Sequence, residues 1–296
     1  VRNDEQSAGH DTVDSSLPSP VGLIAGEGRF PFLVLEAARR AHLRTVTLGI
    51  RGAADPALAH QEGENFHWLK IGQVKKCVRL LREAGIDKAV MAGRVKHVRA
   101  FDILQPDPLM LKILSRLTSR GTHEMLRTLA DVLLEEGVEL IDSTLLVRES
   151  MASEGTITRR SPSAKEWESV RFGVDKARGL AALDVGQTVV VKERAVVTAE
   201  AMEGTDEAVR RARRIVDGPF VVVKVARPNQ DVRFDVPVVG PGTIEAMREA
   251  EARVLALEPG RVLILDKEDV LRRADESGIA IVGFERTSAS VSGSAP

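Results

Sequence analysis

An alternation of short apolar runs with amphipathic stretches over the first half of the chain does most to limit its fold. Val21 to Ala25, Arg44 to Ile50 and Lys88 to Ala92 read as strands, with Phe32 to His42 and Gln73 to Ala84 as helices between them. Strands joined through a helix run parallel, because the helix carries the chain back to the end of the sheet at which the first strand began. Helices over about Pro108 to Leu117 and His123 to Glu136 follow, then a strand from Val138 to Val147.

This half therefore reads as a Rossmann-like parallel-sheet domain covered by helices. Between Arg148 and Lys165 the chain turns polar and loses any periodic apolar face, which sets the domain boundary there. The expected organisation is an N-terminal domain over 21–150 and a C-terminal α/β catalytic domain over 151–286. Residues 1–20, rich in Ser, Asp and Pro, and residues 287–296, with Ser, Ala and Gly, are expected to be disordered. In the second half, Thr188 to Val191 and Ala195 to Glu200 read as strands. A helix from about Asp206 to Val216 has Thr205 as its N-cap, another opens at Thr243 with Ile244, Met247, Val254 and Leu255 at roughly helical spacing, and strands Val262 to Leu265 and Ile279 to Val282 flank a third that ends at Gly278.

The segment from Lys224 to Gly240 concentrates carboxylates, cations and turn residues directly after an apolar run. Val232, Phe234 and Val236 alternate with Asp231, Arg233 and Asp235, so an extended chain has one apolar face and one carrying two acids around an arginine. That charged face suits a meeting of metal and anionic substrate. It equally suits an edge strand with a solvated side, bracketed by Pro228 and Pro237. At ~3.3 Å per residue, the two aspartate α-carbons of an extended strand lie roughly 13 Å apart, too far to share one ion unless the backbone bends.

A formal net charge of -1 over 296 residues, with no basic block, argues against a nucleic-acid partner. No apolar stretch approaches the ~18 residues of a membrane span, and the polar start lacks the apolar centre of a signal peptide. Cys77 is the single cysteine and falls on the apolar face of a helix, which reads as a buried inert thiol in a reducing cytoplasm.

Gly26-Glu27-Gly28 follows the first strand, where glycines let backbone amides approach phosphate, but no third glycine completes a dinucleotide fingerprint and no acid closes the second strand. A tight turn explains it as well, and Arg51 at the end of the second strand leaves an NADP-dependent oxidoreductase as a rival reading. Asp206 and Glu207 sit where ordinary helix capping puts acids. Glu200 and Glu203 just upstream lack that explanation and are candidate ligands for a hard cation such as Mg2+.

Leu23-Ile24-Ala25-Gly26-x-Gly28, Ala92-Gly93-Arg94-Val95, Asp184-Val185-Gly186-Gln187, Glu200-Ala201-x-Glu203-Gly204-Thr205-Asp206 and Pro228-x-Gln230-Asp231-x-Arg233-x-Asp235-x-Pro237-x-x-Gly240 occur in this order. Together they resemble the UDP-2,3-diacylglucosamine pyrophosphatases of the LpxI type, enzymes of lipid A biosynthesis, over about Val21 to Phe284. The resemblance implies a substrate held between the two domains. It also implies hydrolysis, with Mg2+ or another divalent cation, of the pyrophosphate to UMP and 2,3-diacylglucosamine 1-phosphate, with water attacking the uridine-side phosphorus. Asp235 matches the family's catalytic aspartate, as metal ligand or as proton acceptor, with Asp231 and Arg233 beside it. Asp206 joins Glu200 and Glu203 in the candidate metal set.

Lys224, Arg227 and Arg233 suit neutralisation of phosphate charge, and the amides of Gly242 and Thr243 suit a phosphate oxygen. Gly26, Gly28, Arg94, Gln187, Thr205 and Gln230 complete the expected substrate contacts through their motifs. A diacylated substrate places the protein peripherally at the cytoplasmic face of the inner membrane, and a homodimer is expected by analogy. A non-catalytic nucleotide-sugar sensor is the third reading.

Overall fold

The computed structural model describes residues 20–95, 106–118 and 121–285. The terminal stretches expected to be disordered lie outside the described residues, Pro20 apart. The chain forms two compact units that divide between Ile141 and Asp142.

The first unit runs β1 (Val21–Ala25), α1 (Phe30–Arg40), β2 (Thr45–Ile50), α2 (Ala57–Glu62), β3 (Phe66–Leu69), α3 (Val74–Glu83), β4 (Lys88–Ala92), α4 (Pro108–Arg116), α5 (Thr122–Glu135) and β5 (Glu139–Leu140). All five strands are parallel, in the order β3-β2-β1-β4-β5. The order reverses between β1 and β4, the point beyond whose carboxyl ends open α/β sheets bind ligands. There the loops after β1 and β4 lie against each other: the Glu27 amide donates to the Arg94 carbonyl (2.7 Å) and the Arg94 amide to the Glu27 carbonyl (2.9 Å). A Cβ on Gly26 would stand 2.8 Å from the Arg94 carbonyl oxygen, and one on Gly93, at φ +90°, 2.7 Å from that of Glu27. The glycines thus serve close backbone approach at the reversal point.

The second unit runs β6 (Gly155–Thr156), α6 (Ala164–Ala182), β7 (Thr188–Lys192), β8 (Ala195–Ala199), α7 (Thr205–Arg213), β9 (Val221–Lys224), β10 (Val238–Val239), α8 (Pro241–Glu249), β11 (Val254–Leu257), β12 (Leu263–Ile264), α9 (Lys267–Glu276) and β13 (Ala280–Gly283). Its six-stranded mixed sheet has the order β6-β13-β11-β9-β7-β8, with β9, β11 and β13 parallel at the centre. Alternate residues of these strands face opposite sides. Val190, Val222, Leu255 and Ile281 pack with Val209, Ile244, Met247 and Val270 of α7, α8 and α9. Val189, Val191, Val221, Val223 and Val254 pack with Val170, Val174 and Ala177 of α6. Strands covered on both faces need apolar side chains throughout, which is why β9 reads as a continuous valine run.

Several expectations change. The helix opening near Thr243 ends at Glu249, and Val254 and Leu255, read as part of its apolar face, lie in β11 instead. The strand from Val138 to Val147 shortens to Glu139–Leu140, because the Asp142 carboxylate accepts from the Thr144 amide (2.8 Å) and hydroxyl (2.7 Å) and turns the chain. Residues 142–150 group by contact with the second unit. Helix α6 begins inside the polar stretch read as the boundary, where Ser163 and Glu166 form a capping box. Most important, residues 231–235 are not extended: the Asp235 amide donates to the Asp231 carbonyl at 2.9 Å, a helical turn in place of an alternating strand.

Candidate active site

Lys224 ends β9 and is 5% exposed. Its partner across the sheet is Thr188, the first residue of β7, and Glu200 follows the last residue of β8, so all three arrive at one end of the sheet. The Lys224 Nζ donates to Thr205 Oγ1 (2.6 Å) and to Thr188 Oγ1 (3.4 Å). Thr205 Oγ1 in turn donates to Glu200 Oε1 at 2.9 Å, while Glu200 Oε2 lies 3.8 Å from Nζ. The hydroxyl therefore bridges an ion pair that makes no direct hydrogen bond. Glu200 also accepts from the Gln187 amide at 3.3 Å.

Thr205 was expected to cap α7. The cap is instead Gly204 at φ +85°, a conformation that favours glycine, so Thr205 becomes the first helical residue and its hydroxyl turns to Lys224 and Glu200. Next along the helix, Asp206 Oδ1 accepts from the Thr243 hydroxyl of α8 at 2.8 Å, and Oδ2 lies 3.4 Å from where a Cβ on Gly242 would stand. The N-termini of α7 and α8 meet through this contact. The Thr243 amide already donates to the Gly240 carbonyl at 3.0 Å, so its hydroxyl, not its N–H, faces the site.

The loop after β9 supplies the second cation. Arg227 Nη1 donates to Asp235 Oδ2 at 2.9 Å. Its Nε comes within 2.6 Å of Asp184 Oδ1, off the N–H direction, which makes an ion pair without a hydrogen bond. The Gln187 carboxamide satisfies both its atoms when Oε1 accepts from Arg227 Nη1 (2.9 Å) and Nε2 donates to the Val225 carbonyl (3.3 Å). Gln230 accepts from the Arg227 amide (2.8 Å) and donates to the Asp235 carbonyl (3.0 Å), locking the turn. Buried Glu258, after β11, accepts from the Ala226 amide at 2.8 Å, and Arg261 donates to the Arg227 carbonyl at 2.6 Å.

Burial pushes the Lys224 ammonium below the ordinary lysine range, opposed by the charges of Glu200, Asp206 and Asp235 and assisted by Arg227. Burial also opposes ionisation of Glu200, but the Lys224 charge and hydrogen bonds from Thr188, Thr205 and the Gln187 amide override it, and the carboxyl sits below its ordinary range. The result is a buried cation ringed by carboxylates and hydroxyls, beside a guanidinium fixed by two aspartates. Such a preorganised array can hold negative charge that develops on a reacting group.

The other predicted residues of the second unit have contacts of their own. Glu203 is engaged by Arg211 at 2.6 Å. Asp231 and Arg233 pair with each other at 2.9 and 2.7 Å, and the Arg233 guanidinium lies 5.6 Å over the Phe234 ring. Gly26, Gly28 and Arg94 belong to the first unit. No group of three His, Cys, Asp or Glu able to hold a metal ion occurs among the described residues. Asp184, Thr188, Glu258 and Arg261 escaped the sequence reading as site residues. Glu258 carries a signal that could have found it: an acid placed, like Lys224, at the carboxyl end of a wholly apolar parallel strand.

Residues 20–150 match the family model described as the LpxI N-terminal domain, and residues 153–282 that of the LpxI C-terminal domain. A protein of Caulobacter vibrioides, UDP-2,3-diacylglucosamine pyrophosphatase LpxI, is 30% identical over 276 residues, which span 90% of this chain and 97% of that relative.

Proposed function

The chain belongs to the LpxI family, and on that premise we propose that it hydrolyses the pyrophosphate of UDP-2,3-diacylglucosamine, releasing UMP and 2,3-diacylglucosamine 1-phosphate. The observation that carries this reading is the buried Lys224, held by Thr205 and Thr188 next to the Arg227–Asp235 pair. Attack of water on a phosphorus spreads charge over its oxygens, and catalysis of such a step is mostly positioning and electrostatic stabilisation. Lys224 and Arg227 are the cations to meet that charge. Asp235 is oriented by Arg227 through its carboxylate and by Gln230 through its carbonyl, which suits it to hold the attacking water.

Of the four carboxylates considered for a divalent cation, Glu200, Glu203 and Asp235 pair with Lys224, Arg211 and Arg227, and Asp206 accepts from the Thr243 hydroxyl. Asp206 and Asp235, both acting on Lys224, are the residues that would hold the cation. Two carboxylates completed by substrate phosphate and water are a normal Mg2+ set. When bound, the ion supplies further neutralisation of the pyrophosphate.

A lipid substrate is supported by the surroundings. Leu183 and Val185 flank Asp184, Met202 follows Glu200 by two residues, and Val232 separates Asp231 from Arg233; all four are exposed apolar side chains. Exposed apolar side chains next in sequence to polar site residues suit acyl chains or a membrane face. No helix among the described residues is long and apolar enough to cross a membrane, so the reading places contact with lipid at the surface of the cytoplasmic membrane.

The test is product analysis with UDP-2,3-diacylglucosamine and its deacylated counterpart, with Mg2+ and after chelation. UMP release from the acylated compound, falling by about 10²–10³ in Asp235→Asn and in Lys224→Met, is expected. No release in either metal condition, or full activity in both variants, refutes the proposal. Hydrolysis in 18O water identifies the attacked phosphorus, through label in UMP or in the sugar phosphate.

A further inference from the structure

The first unit contains a cavity of about 710 Å³ over the carboxyl ends of β1, β2 and β3, lined by Gly28, Arg29, Phe32, Arg51, Asp55 and Trp68 among others. None of the residues assigned to the hydrolytic reading above lines it except Gly28. Its volume falls within the ~300–1,000 Å³ of small-molecule sites. Two features mark its chemistry. The Arg51 guanidinium lies 5.5 Å over the Trp68 ring, and the Arg29 guanidinium lies 5.4 Å over the Phe32 ring. Trp68 is itself held edge-on by Phe66, with ring centroids 4.8 Å apart.

Arg51 makes no ion pair with a carboxylate among the described residues, whereas Arg29 is paired with Glu36 at 2.8 Å. An exposed arginine in cation–π contact with a tryptophan at the mouth of a cavity presents a planar cation, suited both to an aromatic base and to an anion. Asp55 spends one carboxylate oxygen on the Ala57 amide, at 2.8 Å. The other is suited to a sugar hydroxyl. The acid missing from the end of β2 in the sequence thus reaches the same cavity from the following loop.

We infer that this cavity is a nucleotide-binding site: a planar base joins the Arg51–Trp68 pair, Asp55 takes the ribose, and phosphate is held by Arg51 and by Arg29 at the Gly28 turn. The inference does not depend on hydrolysis at Lys224, and binding is measured without turnover.

Isothermal titration of the full chain with UMP, AMP, NADPH and inorganic phosphate tests it. At least one nucleotide binds saturably and more tightly than inorganic phosphate, and the ranking of the three reports the base and the number of phosphates accepted. Arg51→Ala, a substitution at an exposed position, weakens that binding by about tenfold or more. Trp68→Leu does likewise, and Trp68→Phe retains part of the affinity. The inference is overturned if no nucleotide binds, or if phosphate alone binds as well as the nucleotides. It also fails if Lys224→Met abolishes nucleotide binding while Arg51→Ala leaves it unchanged.

Discussion

A lysine ammonium buried beside a glutamate is tolerable only if hydroxyls and amides fill the remaining bonding directions, since desolvation alone costs several kcal/mol per ion. Thr205 does this in both directions at once, accepting from Lys224 and donating to Glu200. The pH dependence follows from the glutamate. Its folded carboxyl lies below the ordinary value of 4.5, so the unfolded chain binds its proton first on acidification. The stabilisation is complete above that ordinary value and is lost as pH falls through the lowered one. Glu200→Gln is therefore expected to flatten the acid limb of a plot of urea midpoint against pH. At neutral pH it should cost about 3–5 kcal/mol, as a broken buried pair does, because Lys224 loses its counter-ion. An unchanged acid limb would mean that Glu200 is not ionised in the folded protein. At this scale the sequence showed the identities of Lys224, Thr205, Glu200 and Asp235 as motif members. Their mutual contacts were hidden, because Lys224 and Glu200 meet only once β9 pairs with β7 and β7 with β8.

Elements set those contacts through close backbone approaches. Gly186, between α6 and β7, lies so near the Glu200 carbonyl that a Cβ there would stand 2.0 Å from its oxygen, and backbone cannot swing aside as a side chain can. Gly179, within α6, has nothing within 4 Å of the same construction. Gly186→Ala is expected to cost about 1–3 kcal/mol in urea unfolding, and to lower UMP release by displacing Glu200. Gly179→Ala should gain about 0.5–1 kcal/mol with activity unchanged, as alanine does in an open helix interior. Equal effects of the two would remove the packing explanation of the Asp184 to Gln187 motif. Element type was legible wherever one period ran long enough, as in the exact span of β4 and the near match of α3. It failed in two kinds of place. Short elements such as α2 and β3 carry too few residues to show a period. At 231–235 five residues are too few for their alternation to separate a strand from a turn, and the Asp235 to Asp231 backbone hydrogen bond makes it a turn.

At the scale of the molecule, the α/β class followed from the first half alone, whereas the second sheet mixes parallel and antiparallel neighbours in a way that no local pattern encodes. The second unit contains Lys224, Glu200, Asp206, Arg227 and Asp235 together with apolar clusters on both faces of its sheet. A chain of that size is well above the ~40 residues below which a core needs covalent or metal support. Residues 142–296 expressed alone should therefore unfold in one cooperative urea transition. Trp167 is the tryptophan that remains in this fragment and packs against the α6 face of the sheet, so its fluorescence reports directly on that core. The fragment should also keep the acid limb assigned to Glu200, because Lys224, Thr188, Thr205 and Gln187 all lie within it. A broad, non-cooperative transition would show that the division at Ile141 separates contacts without separating folding units. A cooperative transition that lacks the acid limb would show that the Glu200 environment forms only in the whole chain.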